Sequence, residues 1–231
     1  MEPDRERAFR FELLSEIHWI KSGLSNYLDL SREIESMLAQ KDEQIGDTIR
    51  ASLKGAHESE HQDIAEDYAW DIHKYQDVFP LLHREAMFLT VYNYFEHFLT
   101  KLCEWIGDEI KSRIRLRDLQ GRGVERAFLF LKLVPEFEFS RIPAVVLDLR
   151  GANLLRNVIV RAGSVLPVES NDRLNQFVTS HPHLSGKPGN AVALHKEFVA
   201  AFAGTLDQFF TEVQEEMQRY MDRTWRGSTN D

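Results

Sequence analysis

Apolar residues return every three or four positions along most of the chain. Phe9, Leu13, Ile17, Ile20, Leu24 and Leu28 form the first such series. It predicts an amphipathic helix that opens near Pro3 and Asp4 and reaches the late thirties. Residues 40–60 are polar and contain Gly46 and Gly55, so a second, short helix with loops is expected there. Ile64, Tyr68, Ile72 and Tyr75 predict another helix. It should stop before Pro80, because the residue ahead of a proline disfavours the helical region. From Leu81 onward Phe88, Val91, Phe95, Phe98, Leu102, Ile106 and Ile110 make the densest apolar series, which predicts the central, most buried helix. Gly121 and Gly123 in "LQGRG" break the chain, and a short helix follows over Val124 to Val134.

In the second half, Ser140 as a cap and Pro143 in the first turn open a helix that runs to Arg161 or Ala162, with Gly163 as its stop. Residues 164–190 hold Pro167, Pro182, Gly186, Pro188 and Gly189 and read as a loop, with a small hairpin built from "LNQFVTS" and "AVALHKE". Phe198, Phe202, Leu206, Phe209, Val213 and Met217 keep the helical period and predict a last helix over roughly 194–222. The closing "RGSTND" is expected to fray. The fold class expected is therefore all-α, an irregular up-and-down helical bundle with a small hairpin or loop insertion before the last helix. Residues 1–79 supply N-terminal helices that pack on a core formed by 80–231, the two making one unit.

Composition narrows the setting. A chain of 231 residues is long enough to bury a real core. No run approaches 18 uninterrupted apolar residues, so no membrane span is expected. The opening "MEPDRERAFRFELL" lacks the apolar stretch of a secretory signal. Cys103, the single cysteine, has no internal partner and is expected to be a buried, reduced thiol, which suits a cytoplasmic protein. The net charge of −9 looks unfriendly to nucleic acid, but it is unevenly spread. Residues 111–161 carry eleven basic and five acidic groups, while the remainder carries 17 basic and 32 acidic ones. The basic segment either pairs with the acidic remainder or binds a polyanion locally. In the second case Arg113, Arg115, Arg117, Arg122 and Arg126 are the candidate contacts to RNA phosphate.

Chemistry-bearing motifs are few. Residues 57–61 read "HESEH", a literal match to the zinc pattern in which two histidines one helical turn apart grip a metal. The surrounding "KGAHESEHQDIAED" is polar all round, whereas such a site needs a dry, shaped cavity, so a solvated helix face is expected and no metal ligand is assigned. His181 and His183 are expected to lie solvated on a loop. No nucleophile elbow or Gly-rich phosphate loop is present, and no cofactor is assigned.

The segment "LLRNVIVRAG", residues 154–163, is different. At 100° per residue, Arg156, Asn157, Val160 and Arg161 fall within an arc of roughly 140°, with Leu154, Leu155, Val158 and Ile159 opposite. The helix would bury one side and present an Arg/Asn strip on the other. This segment resembles the R-N-x-x-x-H signature of the HEPN superfamily, all-α domains common in RNA-cutting toxins, antiviral proteins and RNA-processing factors. "HREAMFLTVYNYFEHFLTKLCEWIG" resembles that family's long central helix, with Glu96 as its inward acid, and "FVAAFAGTLDQFFTEV" its final helix. The likeness covers roughly residues 80–220.

The resemblance implies a homodimer in which two motif helices face each other. It also implies metal-independent cleavage of RNA by Arg and His, with the 2′-hydroxyl as nucleophile, in a toxin–antitoxin, stress or phage-defence setting. Arg156 matches the motif Arg and Asn157 its polar second residue, but Arg161 stands where His is expected. Arginine keeps its proton. It can stabilise a developing anion but cannot remove the 2′-hydroxyl proton, and losing acid/base help costs about 10²–10⁴-fold in rate. His83 or His97 could stand in as base. Glu96 is expected to orient the arginines as a charge-assisted partner. The expected function is a dimeric RNA- or protein-binding module with weak or no catalysis, and the alternative is a metal-independent endoribonuclease using Arg156, Asn157 and Arg161. Ordinary interface arginines facing a partner protein fit the same strip.

Overall fold

The computed structural model describes residues 3–169 and 172–225; the closing segment 226–231, expected to fray, lies outside them. Helix α1 spans Pro3–Gly55, about 80 Å at 1.5 Å per residue. It does not stop in the late thirties. Residues 40–55 are mostly good helix formers, Ile45 is buried, and Gln76 bonds Asp42 at 3.0 Å, so the second half of α1 pairs lengthwise with the chain that follows. Against that pairing, Gly46 costs only about 0.5–1 kcal/mol.

Helix α2, His61–His73, also continues where a stop was expected. A π-helical turn over Lys74–Val78 leads directly into α3, Phe79–Glu109. Pro80 sits in the first turn of α3, where its missing N–H needs no intrahelical acceptor, and the wider turn resets the hydrogen-bond ladder ahead of it. As expected, α3 is central. Phe88, Val91, Tyr92, Phe95, Leu99, Leu102, Cys103 and Ile106 are all buried. Phe95 meets Phe209 and Phe210 edge-on at 5.7 and 5.9 Å.

Helix α4 is Gly123–Leu133, and α5 is Pro143–Ala162. Ser140 does not cap α5. It lies in a short 3₁₀ turn over Phe139–Arg141, and Ile142 precedes the helix with no side-chain cap. Gly163 ends α5 in the left-handed conformation, φ 57°, as its position predicts. "LNQFVTS" is not a strand. It belongs to α6, Asp172–Ser180. The hairpin is smaller than expected, pairing β1, Leu184–Ser185, antiparallel with β2, Ala193–Leu194. Leu184 and Leu194 face each other across it and are buried. Helix α7, Phe198–Trp225, closes the bundle against α1 and α5.

The chain is thus an all-α helical bundle with one very small sheet. One apolar core joins Phe9 to Leu24 of α1 with α3, α4, α5 and α7. Two charged ties brace it. Arg84 grips the Glu35 carboxylate through Nε and Nη2 at 2.6 and 2.9 Å, and reaches the Leu194 carbonyl at 3.4 Å. Glu216, only 1% exposed, accepts from the Glu138 N–H at 3.3 Å and pairs with Arg219 and Arg141. Among the described residues no helix is long and apolar enough to cross a membrane.

Candidate interface on the fifth helix

The register of α5 places its Arg/Asn strip on the side away from Leu149, Ala152, Leu155 and Ile159, which are buried. Leu154 and Val158, expected on the buried side, are only half-buried and border a groove. Arg156 turns along the flank toward α3. Its Cζ lies 6.0 Å from the centroid of the Tyr92 ring, and its Nη1 donates to Asn157 Oδ1 at 3.2 Å. Its Nε is enclosed and has no hydrogen-bond partner among the described residues.

Tyr92 donates to Asn153 Oδ1 at 2.9 Å. Burial pushes its phenol well up; the nearby carboxylate of Glu96 adds to this, Arg156 opposes it, and Glu125 contributes further. Tyr92 is therefore a neutral hydroxyl donor to Asn153, with its ring against the Arg156 guanidinium. Sequence reasoning missed Tyr92 and Asn153. The available signal was a tyrosine inside the most buried apolar series, where its hydroxyl must find a partner.

Arg161 sits in the last turn of α5, exposed, with no hydrogen bond or ion pair among the described residues. Asn157 separates it from Arg156. The strip therefore has two ends, a half-buried guanidinium against α3 and a free one at the groove.

Glu96 does not pair with either arginine. Its carboxylate sits instead against Gly123 at the start of α4, so closely that a Cβ on Gly123 would run into Oε1. Gly123 also has φ 54°, a conformation glycine adopts freely. The N-terminus of α4, with its positive partial charge, is the carboxylate's neighbour in place of a guanidinium. Arg150, on the outward face of α5, approaches Glu125 at 3.4 Å.

The basic loop divides similarly. Arg115 pairs with Asp108, and Arg126 donates from Nε and Nη2 to the Gly121 carbonyl at 2.9 and 2.7 Å. Both are occupied in holding the loop. Arg113, Arg117 and Arg122 are exposed and make no ion pair among the described residues.

The histidines lie elsewhere. His83 bonds Ser31 of α1 at 3.1 Å, and His97 is exposed against Phe98. "HESEH" is not one helix face. His57 precedes a 3₁₀ turn and bonds Ser59 at 3.0 Å, while Glu60 accepts from the His57 N–H at 3.0 Å as a cap. Among the described residues no three His, Cys, Asp or Glu side chains are grouped as a metal ion would need. His181 and His183 are half-buried, not solvated. The His181 ring packs on Phe198 and Phe177 at 5.0 and 5.5 Å, and its Nδ1 accepts from the His183 N–H at 3.2 Å. Cys103 is fully buried, and burial pushes its thiol well up, so it stays protonated.

The outward side of α5 and the turn after it carry aliphatic residues in the open: Leu147 is 66% exposed, Val160 55% and Val168 78%. Val160 lies one turn from Asn157 and beside Arg161, and Leu147 lies near Arg150 at the other end of the helix, so apolar and basic groups share this surface. The chain matches no protein-family model, no curated protein and no solved structure.

Proposed function

We propose that this chain is a HEPN-like, homodimeric binding module that holds RNA through the α5 strip and the exposed arginines of the 111–126 loop. The observation that carries the reading is the α5 surface itself, where exposed Val160 neighbours Asn157 and Arg161 and exposed Leu147 neighbours Arg150. Aliphatic exposure supports self-association. The guanidiniums of Arg113, Arg117, Arg122 and Arg161, which make no ion pair among the described residues, support contact with phosphate. The setting that goes with it is a cytoplasmic toxin–antitoxin, stress or phage-defence system, with a cognate partner protein as a further candidate at the same surface.

The test is retention of labelled single-stranded RNA across a salt series. About four phosphate contacts would give a slope of log affinity against log salt near −3. Arg161→Ala and Arg117→Ala should each make it shallower by about one. RNA retention that is absent, or indifferent to salt, ends the reading.

Metal-independent endoribonuclease activity is the second reading. It is favoured by Arg156, whose guanidinium bonds Asn157 and meets no carboxylate among the described residues, in the position where the resemblance puts a phosphate ligand. Cleavage that survives a chelator and disappears in Arg156→Ala would establish it. Cleavage gained in Arg161→His would show a site complete except for its base.

A further inference from the structure

A groove of about 640 Å³ opens between α5, the 164–168 connection and α6. Leu154, Val158, Val165, Val168 and Leu174 form its aliphatic walls. Among the described residues its polar side chains are Asn157 and Arg161, which share one rim, and no carboxylate lines it. Arg161 has no partner among the described residues. The groove is open on one side, with Val165 43% and Val168 78% exposed, and apolar walls with a few convergent polar groups suit a small ligand lying along them.

The lining selects the class of occupant. Among the described residues it contains no aromatic ring, so nucleobases have no stacking platform. An aliphatic body satisfies the walls, and one terminal anion satisfies the rim.

We propose that the groove binds an amphipathic small-molecule carboxylate, its chain against Leu154, Val158 and Val165 and its carboxylate on Arg161 and Asn157. The proposal does not rest on RNA binding, although Arg161 serves both.

The experiment is calorimetric titration of the full chain with decanoate and with decanol, both below the concentrations at which they aggregate. Decanoate should bind saturably. Arg161→Gln should weaken decanoate by about tenfold, the loss of a hydrogen bond between charged groups, and leave decanol unchanged. Ala162→Phe, which fills the groove, should weaken both. Val168→Asp, an exposed change that the fold tolerates, should weaken decanoate more than decanol. Four results would overturn the proposal. These are no saturable heat with either ligand, an equal loss of both in Arg161→Gln, no effect of Ala162→Phe, and a dimer broken by Val168→Asp without any decanoate heat, which assigns the groove to a second copy. RNA retention through Arg113, Arg117 and Arg122, measured on the same protein, separates failure here from failure of the RNA reading.

Discussion

Two single residues carry clear expectations about stability. Glu216 is buried at the meeting of α7 with the 138–141 turn, and its partners are the Glu138 N–H, Arg141 and Arg219. Glu216→Ala leaves the Glu138 N–H without its acceptor, while Arg219 keeps Glu212 and Glu215 and Arg141 keeps Glu138. The expected cost is about 1–3 kcal/mol, that of leaving a buried donor unsatisfied. Glu216→Gln keeps an acceptor for the backbone and should cost less. Urea unfolding of the pair measures the difference, and equal costs would mean that the charge contributes nothing beyond the backbone bond. His181 gives a pH dependence. Burial holds its imidazole below the ordinary 6.5; Asp148 pulls it back up, and His183 pushes it further down. Protonation would also set an N–H against the His183 N–H that Nδ1 now accepts. Below 6.5 the unfolded chain therefore takes up a proton that the folded chain refuses. The stability this group contributes is complete above 6.5 and declines as pH falls from there toward the folded value. His181→Phe should flatten that acid limb, read as the change in urea midpoint between about pH 7.5 and pH 5.5; an unchanged limb would place the titration elsewhere.

Elements show what periodicity can and cannot foretell. The strongly periodic series marked α1, α3, α5 and α7, since a 3.6-residue repeat of large apolar groups has few other solutions. Gly163 and the Gly121–Gly123 break were legible for the same local reason, their backbone conformation. Boundaries that depend on a neighbour were not legible. Residues 40–55 are polar on their own, and only their pairing with α2 and the π-helical turn extends α1 to Gly55. The stop at Pro80 vanished because a wider turn absorbed it. "LNQFVTS" reads as a strand by its β-branched and aromatic content, yet α6 packs Phe177 against Gly151 of α5, where a Cβ would collide with the ring. Gly123 offers a test at this scale. Gly123→Ala meets both the left-handed backbone and the Glu96 carboxylate. It should destabilise by about 1–3 kcal/mol, seen as a lower melting temperature. Gly123→Ala combined with Glu96→Ala should recover part of the loss, and no recovery would mean that the backbone conformation alone is at stake.

At the scale of the whole molecule, the expectation concerns assembly. Val160→Asp and Leu147→Asp change exposed positions, so secondary structure and melting should hold while the sedimenting mass falls from dimer to monomer. A wild-type chain that sediments as a monomer at micromolar concentration removes the dimer from the proposal. What the sequence alone determined was the helical class, the central place of α3, the uneven charge and the proximity of Arg156, Asn157 and Arg161 on one helix, because all of these follow from short-range spacing and composition. Only the tertiary structure decided which way each group turned. It sent Glu96 to α4 and away from the arginines, set Tyr92 beneath Arg156, committed Arg115 and Arg126 to the loop, and left Leu147, Val160 and Val168 in the open. Those outcomes depend on which helices become neighbours, and a one-dimensional pattern fixes the apolar face of a helix without naming what covers it.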